Sequence, residues 1–415
     1  MKKTIYMVST MFYPSIGGVE NHIYYLSKNI VDLGFNVKII KPTLGIKDTN
    51  IYVLDGIEVH EVKCGTDLDK RKYDSYKKKS KGSIGFIYGY KRKYFYNKFS
   101  DIIFEYIEND VKNNKIKDLL IHQHDFISSI KLSKKLSKKY DVIFTNHTGE
   151  FLFIKKLMFS NMIIKYLTNH FKYIIAPSTE LAAFNGIRKR GTYKYIPNGV
   201  DLNIFYKYEE IYVEKLKQKY NLQSNKFTIL CPRRWAPTKG IIYLVKSIKL
   251  LKDMGYENKL QFVFVGNDYM DYSEYRSEIL DYIDENSLNK MIMLLGNVNS
   301  KNMSELINCA DVVAIPSLME AVSLSALEAM ACGRIILSTN VGGFPQIINN
   351  GKTGYMVEAK DSEALAEKLA SIVINFESEK IIGNNAREFV MKNYSWENIA
   401  KQTISIYYPN VEFDN

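Results

Sequence analysis

Short apolar runs of three to five residues recur along this chain, each separated from the next by a stretch with helical spacing, and that alternation limits the fold more than any other feature. In the first cycle an apolar run at residues 5–8 is followed by FYPSIGGVE, then by Val19, Ile23, Leu26 and Ile30 near the i, i+3, i+4, i+7 positions of one helix face. Gly34 stands where a helix-ending glycine belongs, and a second apolar run covers 37–40. Strand, helix, strand in that order is a βαβ unit, which requires a parallel sheet flanked by helices. Further runs at 119–121, 142–145 and 173–176 extend the first series. A second series begins after a polar helical stretch at about 209–219, with runs at 227–231, 261–265, 292–295, 312–315 and 335–338. Two doubly wound α/β domains in tandem are the architecture expected, and a length of 415 residues suits two domains. The expected division is 1–205, 206–390, and a C-terminal helix within 391–415 that packs back on the first domain.

Composition narrows the class. With 46% hydrophobic and 25% charged residues the chain is globular rather than disordered or fibrous. Every apolar stretch is broken well short of the roughly 18 residues that a membrane-spanning helix needs. The first residues, MKKTIYMVST, run into Pro14 without a small-residue cleavage site and read as a buried first strand rather than a secretory signal. Cys64, Cys231, Cys309 and Cys332 form no CxxC pair, so a reducing, cytoplasmic setting is expected. The net charge is +12, and residues 70–98 carry eleven Lys or Arg against the single acid Asp74, interleaved with eight aromatics. Such a patch suits an anionic membrane surface at least as well as nucleic acid, and no nucleic-acid partner is expected. A second aromatic and lysine-rich stretch, 151–175, reads either as a core helix or as a further part of the same docking surface, the former being favoured.

Chemistry concentrates in a few strings. IPSLMEAVSLSALEAMACG holds Glu320 and Glu328 eight residues apart, and a helix starting near Ser323 and Leu324 would turn its free N–H groups toward the loop that holds Glu320. Glu328, deeper in that helix, is suited to accepting hydrogen bonds from two hydroxyls of a polyol. ILCPRRWAPTKG puts Arg233, Arg234 and Lys239 just past a hydrophobic strand, where open α/β sheets bind ligands and where cations neutralise a diphosphate. Gly17 and Gly18 follow the first strand and open the next helix, a setting in which backbone approaches a phosphate closely. Asp67-Leu-Asp69 borders the lysine-rich segment and reads as solvated, and HQHD, with His122 and His124, lacks the i, i+4 spacing of helical metal ligands.

Taken in order, FYPSIGGVENH, TNHTGE, APST, IPNGVD, RRWAPTKG, FVGN, LLGNV, the double-glutamate string, STNVGGFPQII, NGKTGYMV and YSWENIA resemble the retaining nucleotide-sugar glycosyltransferases of family 4, which have the GT-B architecture. The resemblance implies two Rossmann-like domains across a cleft, the donor held mainly by the second and the acceptor by the first. It makes Arg234 and Lys239 diphosphate-binding cations, Glu328 the ribose-binding carboxylate, Glu320 the group against the transferred sugar, and His147 a histidine near the reacting centre. Arg233, Val298, Ser323 and Leu324 join the donor site, with Gly17 and Gly18 closing over the phosphate. It further implies a UDP-sugar donor, no metal or other cofactor, and same-face attack with retention. A saccharide acceptor on a lipid carrier, in bacterial surface polysaccharide assembly at the inner face of the cell membrane, completes the expectation. Arg233 in place of a commoner glycine, Ala321-Val322-Ser323 in place of Gly-Phe-Gly, and Gln346 at a usually acidic position are departures around the sugar pocket. A GT-B-shaped epimerase or phosphorylase would share the two domains, and only the former would convert donor without acceptor.

Overall fold

The computed structural model describes residues 3–13, 18–79, 85–124, 129–147, 154, 159–177, 179–182, 187, 192–266, 272–320 and 323–413. The chain divides into two compact units, Met1–Pro197 with Trp396–Asn415, and Asn198–Ser395.

In the first unit the described strands form one sheet in the order β3-β4-β2-β1-β5-β6-β7-β8. They are β1 (Thr4–Val8), β2 (Asn36–Leu44), β3 (Asn50–Leu54), β4 (Ile57–Gly65), β5 (Leu119–Gln123), β6 (Val142–Thr145), β7 (Tyr173–Ala176) and β8 (Tyr193–Tyr195). All pairings are parallel except the β3-β4 hairpin, where Asp55 and Gly56 both take positive φ, 49° and 80°, as a two-residue hairpin turn demands. β1 is fully buried because helices cover both faces of the sheet. On one face the helix Gly18–Asp32 contributes Ile23, Leu26 and Ile30, and the returning helix Trp396–Tyr407 contributes Trp396, Ile399, Ala400, Ile404 and Tyr407. On the other face the helix Gly85–Asn113 lays down Phe95, Phe99, Ile103 and Ile107.

The second unit repeats the plan. Its strands β9 (Phe227–Pro232), β10 (Leu260–Val265), β11 (Ile292–Gly296), β12 (Val312–Ile315), β13 (Ile335–Thr339) and β14 (Tyr355–Val357) are all parallel, in the order β11-β10-β9-β12-β13-β14. Each sheet reverses its strand order once, beside β1 and beside β9, and ligand crevices of open α/β sheets lie beyond the carboxyl ends of strands at such points.

The division falls earlier than Phe205. Val200 donates its N–H to the Tyr394 carbonyl at 2.8 Å, and Val200 and Phe205 are buried in the second unit's core, so 198–205 folds with that unit. Residues 391–395 stay there too, because the helix Phe376–Asn393 packs against that core, and the chain crosses back only at Trp396.

The aromatics of the basic segment take a different place from the expected surface. Phe95 and Tyr96 are buried, and Tyr73 and Tyr76 pack against the same core, because the helices Asp67–Lys79 and Gly85–Asn113 need apolar faces to seat on the sheet. Of the described aromatic side chains in 70–98, Tyr94 is the exposed one. Residues 80–84, and the side chains of 77–93, lie outside the described residues. Among the described residues no helix is long and apolar enough to cross a membrane.

Candidate active site

Three loops leave the carboxyl ends of β9, β12 and β13 and lock onto one another through backbone. The N–H groups of Leu318 and Met319 donate to the Thr238 carbonyl at 2.8 and 3.2 Å, the Thr339 hydroxyl donates to the Ser317 carbonyl at 2.5 Å, and Gly343 N–H donates to the Glu320 carbonyl at 3.3 Å. Two glycines permit this approach. Gly240 sits at φ +63° with space for no Cβ, which would lie 2.0 Å from the Pro316 oxygen. Gly342, at φ +55°, would place a Cβ 1.6 Å from the Glu320 oxygen. The backbone that carries Glu320 is therefore fixed before any side chain acts.

On that frame Glu320 Oε2 accepts from Arg233 Nη2, from Lys239 Nζ at 2.9 Å and from Ser317 Oγ at 3.4 Å. Arg233 is buried, at 8% exposure, and also donates to Ser317 Oγ at 3.1 Å and to Ser323 Oγ at 3.4 Å. Its Nε is buried without a hydrogen-bond partner among the described residues. The buried Arg233 and the half-buried Lys239 share one carboxylate, so the cluster carries an excess of positive charge, and Lys239 is shifted below its ordinary pKa by desolvation and then by Arg233. Ser323 caps the helix Leu324–Ala331, its Oγ accepting from Ala326 N–H at 3.3 Å, so the guanidinium and the helix N-terminus converge on one hydroxyl. A polyanion entering here meets fixed cations and unsatisfied helix N–H groups at once.

Glu328 lies a turn inside that helix, its carboxyl pushed up to about 7 because burial disfavours the charged form, with Arg233 opposing the shift. A folded-state value above the ordinary 4.5 means that the native protein binds this proton more tightly than the unfolded chain does. The resulting stabilisation is complete below the unfolded value and is lost as pH rises through about 7. Glu328→Gln removes that dependence, so the wild type should lose up to about 3 kcal/mol relative to the variant between pH 5 and pH 8. Denaturant titrations of both proteins at the two pH values check this, and parallel pH profiles would refute it.

Arg234 follows Arg233 with an exposed side chain, Leu324 opens the capped helix, and Val298 packs partly buried against the second unit's core. Gly18 begins the helix after β1, with nothing within 4 Å of where a Cβ would stand. Gly17, Ala321 and Val322 lie outside the described residues.

His147 belongs to the first unit and has close company. His124 Nδ1 lies 3.0 Å from His147 Nε2, and the His22 ring stands edge-on to His147 with centroids 4.6 Å apart. His122 bonds Thr145 Oγ1 at 2.7 Å and Tyr407. Burial first, then neighbouring imidazoles, hold His122, His124 and His147 well below the ordinary histidine pKa, so these rings are neutral at pH 7. The two histidines of HQHD are thus buried members of a cluster with His22 in the first unit, while in the second unit Ser317, Thr339 and Gly342 stand around Glu320, and none of His22, Ser317, Thr339 and Gly342 was among the site residues expected from sequence. The one sequence signal for His22 is its position one helical turn after the paired glycines.

Comparison with known proteins accords with these two units. Residues 16–204 match the model of the family described as Glycosyltransferase Family 4, and residues 213–389 match Glycosyl transferases group 1, so the pair covers most of the chain. The phosphatidylinositol N-acetylglucosaminyltransferase GPI3 subunit of Saccharomyces cerevisiae is 25% identical over 415 aligned residues, spanning 97% of this chain and 82% of that one. Among solved structures, sucrose-phosphate synthase from Thermosynechococcus elongatus superposes with a TM-score of 0.76 at 20% identity, covering 98% of this chain and 99% of that one. Anabaena HepE in complex with UDP gives 0.72 at 17% identity, over 99% and 100%. Two Rossmann-like sheets, matching family models over both units and the ordered strings of the sequence agree on one conclusion: the chain belongs to the family 4 glycosyltransferases of GT-B architecture and is a hexosyl-transferring enzyme.

Proposed function

We propose that the enzyme takes a sugar from a UDP-sugar and transfers it, with retention, to a saccharide acceptor on a lipid carrier. The observation that carries the donor half is the Arg233, Lys239 and Glu320 cluster beside the Ser323-capped helix. Cleaving an anomeric C–O bond leaves positive charge on the sugar and negative charge on the departing diphosphate. Groups already fixed where that negative charge grows lower the barrier without reorganising, and two cations with a helix N-terminus meet that requirement. Arg234, beside them at the surface, is a third cation for the same diphosphate, and Glu328 takes the ribose hydroxyls. Val298 and Leu324 line the donor side, and Glu320 faces the transferred sugar. His147 in the first unit, with Gly17 and Gly18, serves the reacting centre and the phosphate. In this reading the side chains supply the counter-charge and the transfer needs no metal.

UDP is favoured because a structural neighbour holds it, and N-acetylglucosamine is the first sugar to try because a full-length relative is named for its transfer. The same relative's phosphatidylinositol acceptor supports a lipid-linked acceptor, as does the +10 balance of residues 70–98 at the cytoplasmic face of a membrane. A thermal-shift panel of UDP, GDP, ADP and their sugars tests the donor: a ligand at a hundredfold its Kd stabilises by about 2.7 kcal/mol. UDP and its sugars should raise the melting temperature and the others should not. Equal shifts from all three bases, or from none, would overturn the reading.

A further inference from the structure

We propose that the first unit binds one divalent transition-metal ion on His22, His124 and His147. Four of the chain's six histidines gather at the carboxyl ends of β5 and β6 and the adjoining helix Gly18–Asp32, beside the point where this sheet reverses its strand order. Three of them present nitrogen atoms that all lie within 4.8 Å of one another. Zinc bound to imidazole at 2.0–2.1 Å in tetrahedral geometry separates its donors by about 3.3 Å, and the His124–His147 pair already stands at 3.0 Å.

Hydrogen bonding selects which nitrogens are offered. His124 Nε2 points at Met7 Sδ, 3.3 Å away, and a thioether only accepts, so Nε2 keeps the proton and the Nδ1 lone pair is directed at His147. That is the arrangement in which an outer partner fixes the tautomer of a metal-binding imidazole. His122 is excluded, because Thr145 and Tyr407 engage its two nitrogens. Trp396 stands edge-on to His22 with centroids 5.3 Å apart, and Tyr25 stacks on that indole at 5.8 Å, so the returning helix backs the His22 ring. A donor set of three imidazole nitrogens favours zinc, nickel or copper over the hard, oxygen-seeking magnesium. Such an ion would tie the helix Gly18–Asp32 to the ends of two strands. It shares His147 with the reacting centre proposed above but uses none of the diphosphate-binding residues of the second unit, so its failure would leave the donor assignment standing.

The test uses the full chain, stripped with chelator, dialysed against zinc chloride and assayed by elemental analysis and calorimetry. One zinc per chain is expected, with a raised melting temperature that magnesium does not reproduce. His22→Gln and His124→Gln should each weaken zinc binding at least tenfold, whereas His60→Gln, whose ring is engaged by Tyr106 and Glu58, should not. Should either cluster variant fail to fold, X-ray absorption of the zinc-loaded wild type decides, with imidazole nitrogens at about 2.0 Å expected. Substoichiometric zinc, loading unchanged by a folded His22 or His124 variant, or a shell of sulfur or oxygen alone overturns the proposal.

Discussion

Glu320→Gln is expected to bind UDP more tightly than the wild type while turning over roughly a hundredfold more slowly, within the range seen when one preorganised electrostatic group is removed from a transfer site. The opposite signs follow from the cluster. In the free enzyme Glu320 accepts from both Arg233 and Lys239, so an incoming diphosphate must compete with it for the same cations. A glutamine keeps the shape and removes the competing charge, which favours the diphosphate. The same change takes away the carboxylate proposed to face the sugar as positive charge develops there, which slows transfer. It also leaves the buried Arg233 and the half-buried Lys239 without that counter-ion, which costs less than the roughly 3–5 kcal/mol lost when a fully buried pair is broken from one side. The variant should accordingly melt lower than the wild type and recover more of its stability on addition of UDP. Calorimetric Kd values and initial rates on the two proteins check this, and unchanged affinity with unchanged turnover would remove Glu320 from the site.

Gly342→Ala should be the most destabilising single-methyl substitution in the second unit's crevice. The added carbon would meet the Glu320 carbonyl oxygen at 1.6 Å, at a φ of +55° that L side chains rarely adopt. The loop after β13 must retreat, which breaks the bond from Gly343 N–H to that carbonyl and loosens the anchor of Glu320. Left-handed backbone strain and overpacking cost about 1–3 kcal/mol each, so a loss of about 4 kcal/mol is expected, equivalent to roughly 10 °C in a unit of this size. Gly351→Ala separates the two contributions. It has a similar φ of +77° but nothing within 4 Å of its Cβ, so it should show the backbone cost alone. Equal losses from the two alanines would mean that contact with Glu320 contributes nothing.

Much of this architecture was legible because parallel strands buried on both faces write themselves as uninterrupted apolar runs. Residues 142–145, 173–176 and 312–315 coincide with observed strands for that reason, and the helix cap at Ser323 follows from a serine placed just before a helical pattern. The hairpin of β3 and β4 escaped notice because β3 is an exposed edge with Ile51 and Val53 facing solvent, so it lacks both a buried run and a polar alternation. β8 and β14, at three residues each, are too short to carry a pattern. In the site, Glu320, Lys239 and Ser323 could be named from their strings, whereas the choice of Arg233 over Arg234 as the buried partner could not. Adjacent residues leaving a strand point to opposite sides, and only the packing of Gly266 against the Arg233 carbonyl and of Ser317 against its guanidinium shows which one turns inward. The histidine cluster was hidden for a similar reason, since positions 22, 124 and 147 meet only through the parallel crossovers.

The crossing of the chain back to the first unit at Trp396 sets an order of events during synthesis. Ile399, Ile404 and Tyr407 complete a core whose other members lie before residue 198, so the amino-terminal half must wait while about two hundred residues are made. At 5–20 residues per second that interval is of order 10–40 s. Until then the apolar flank of the first helix, Ile23, Leu26 and Ile30, lacks the cover that the helix Trp396–Tyr407 gives it in the finished unit.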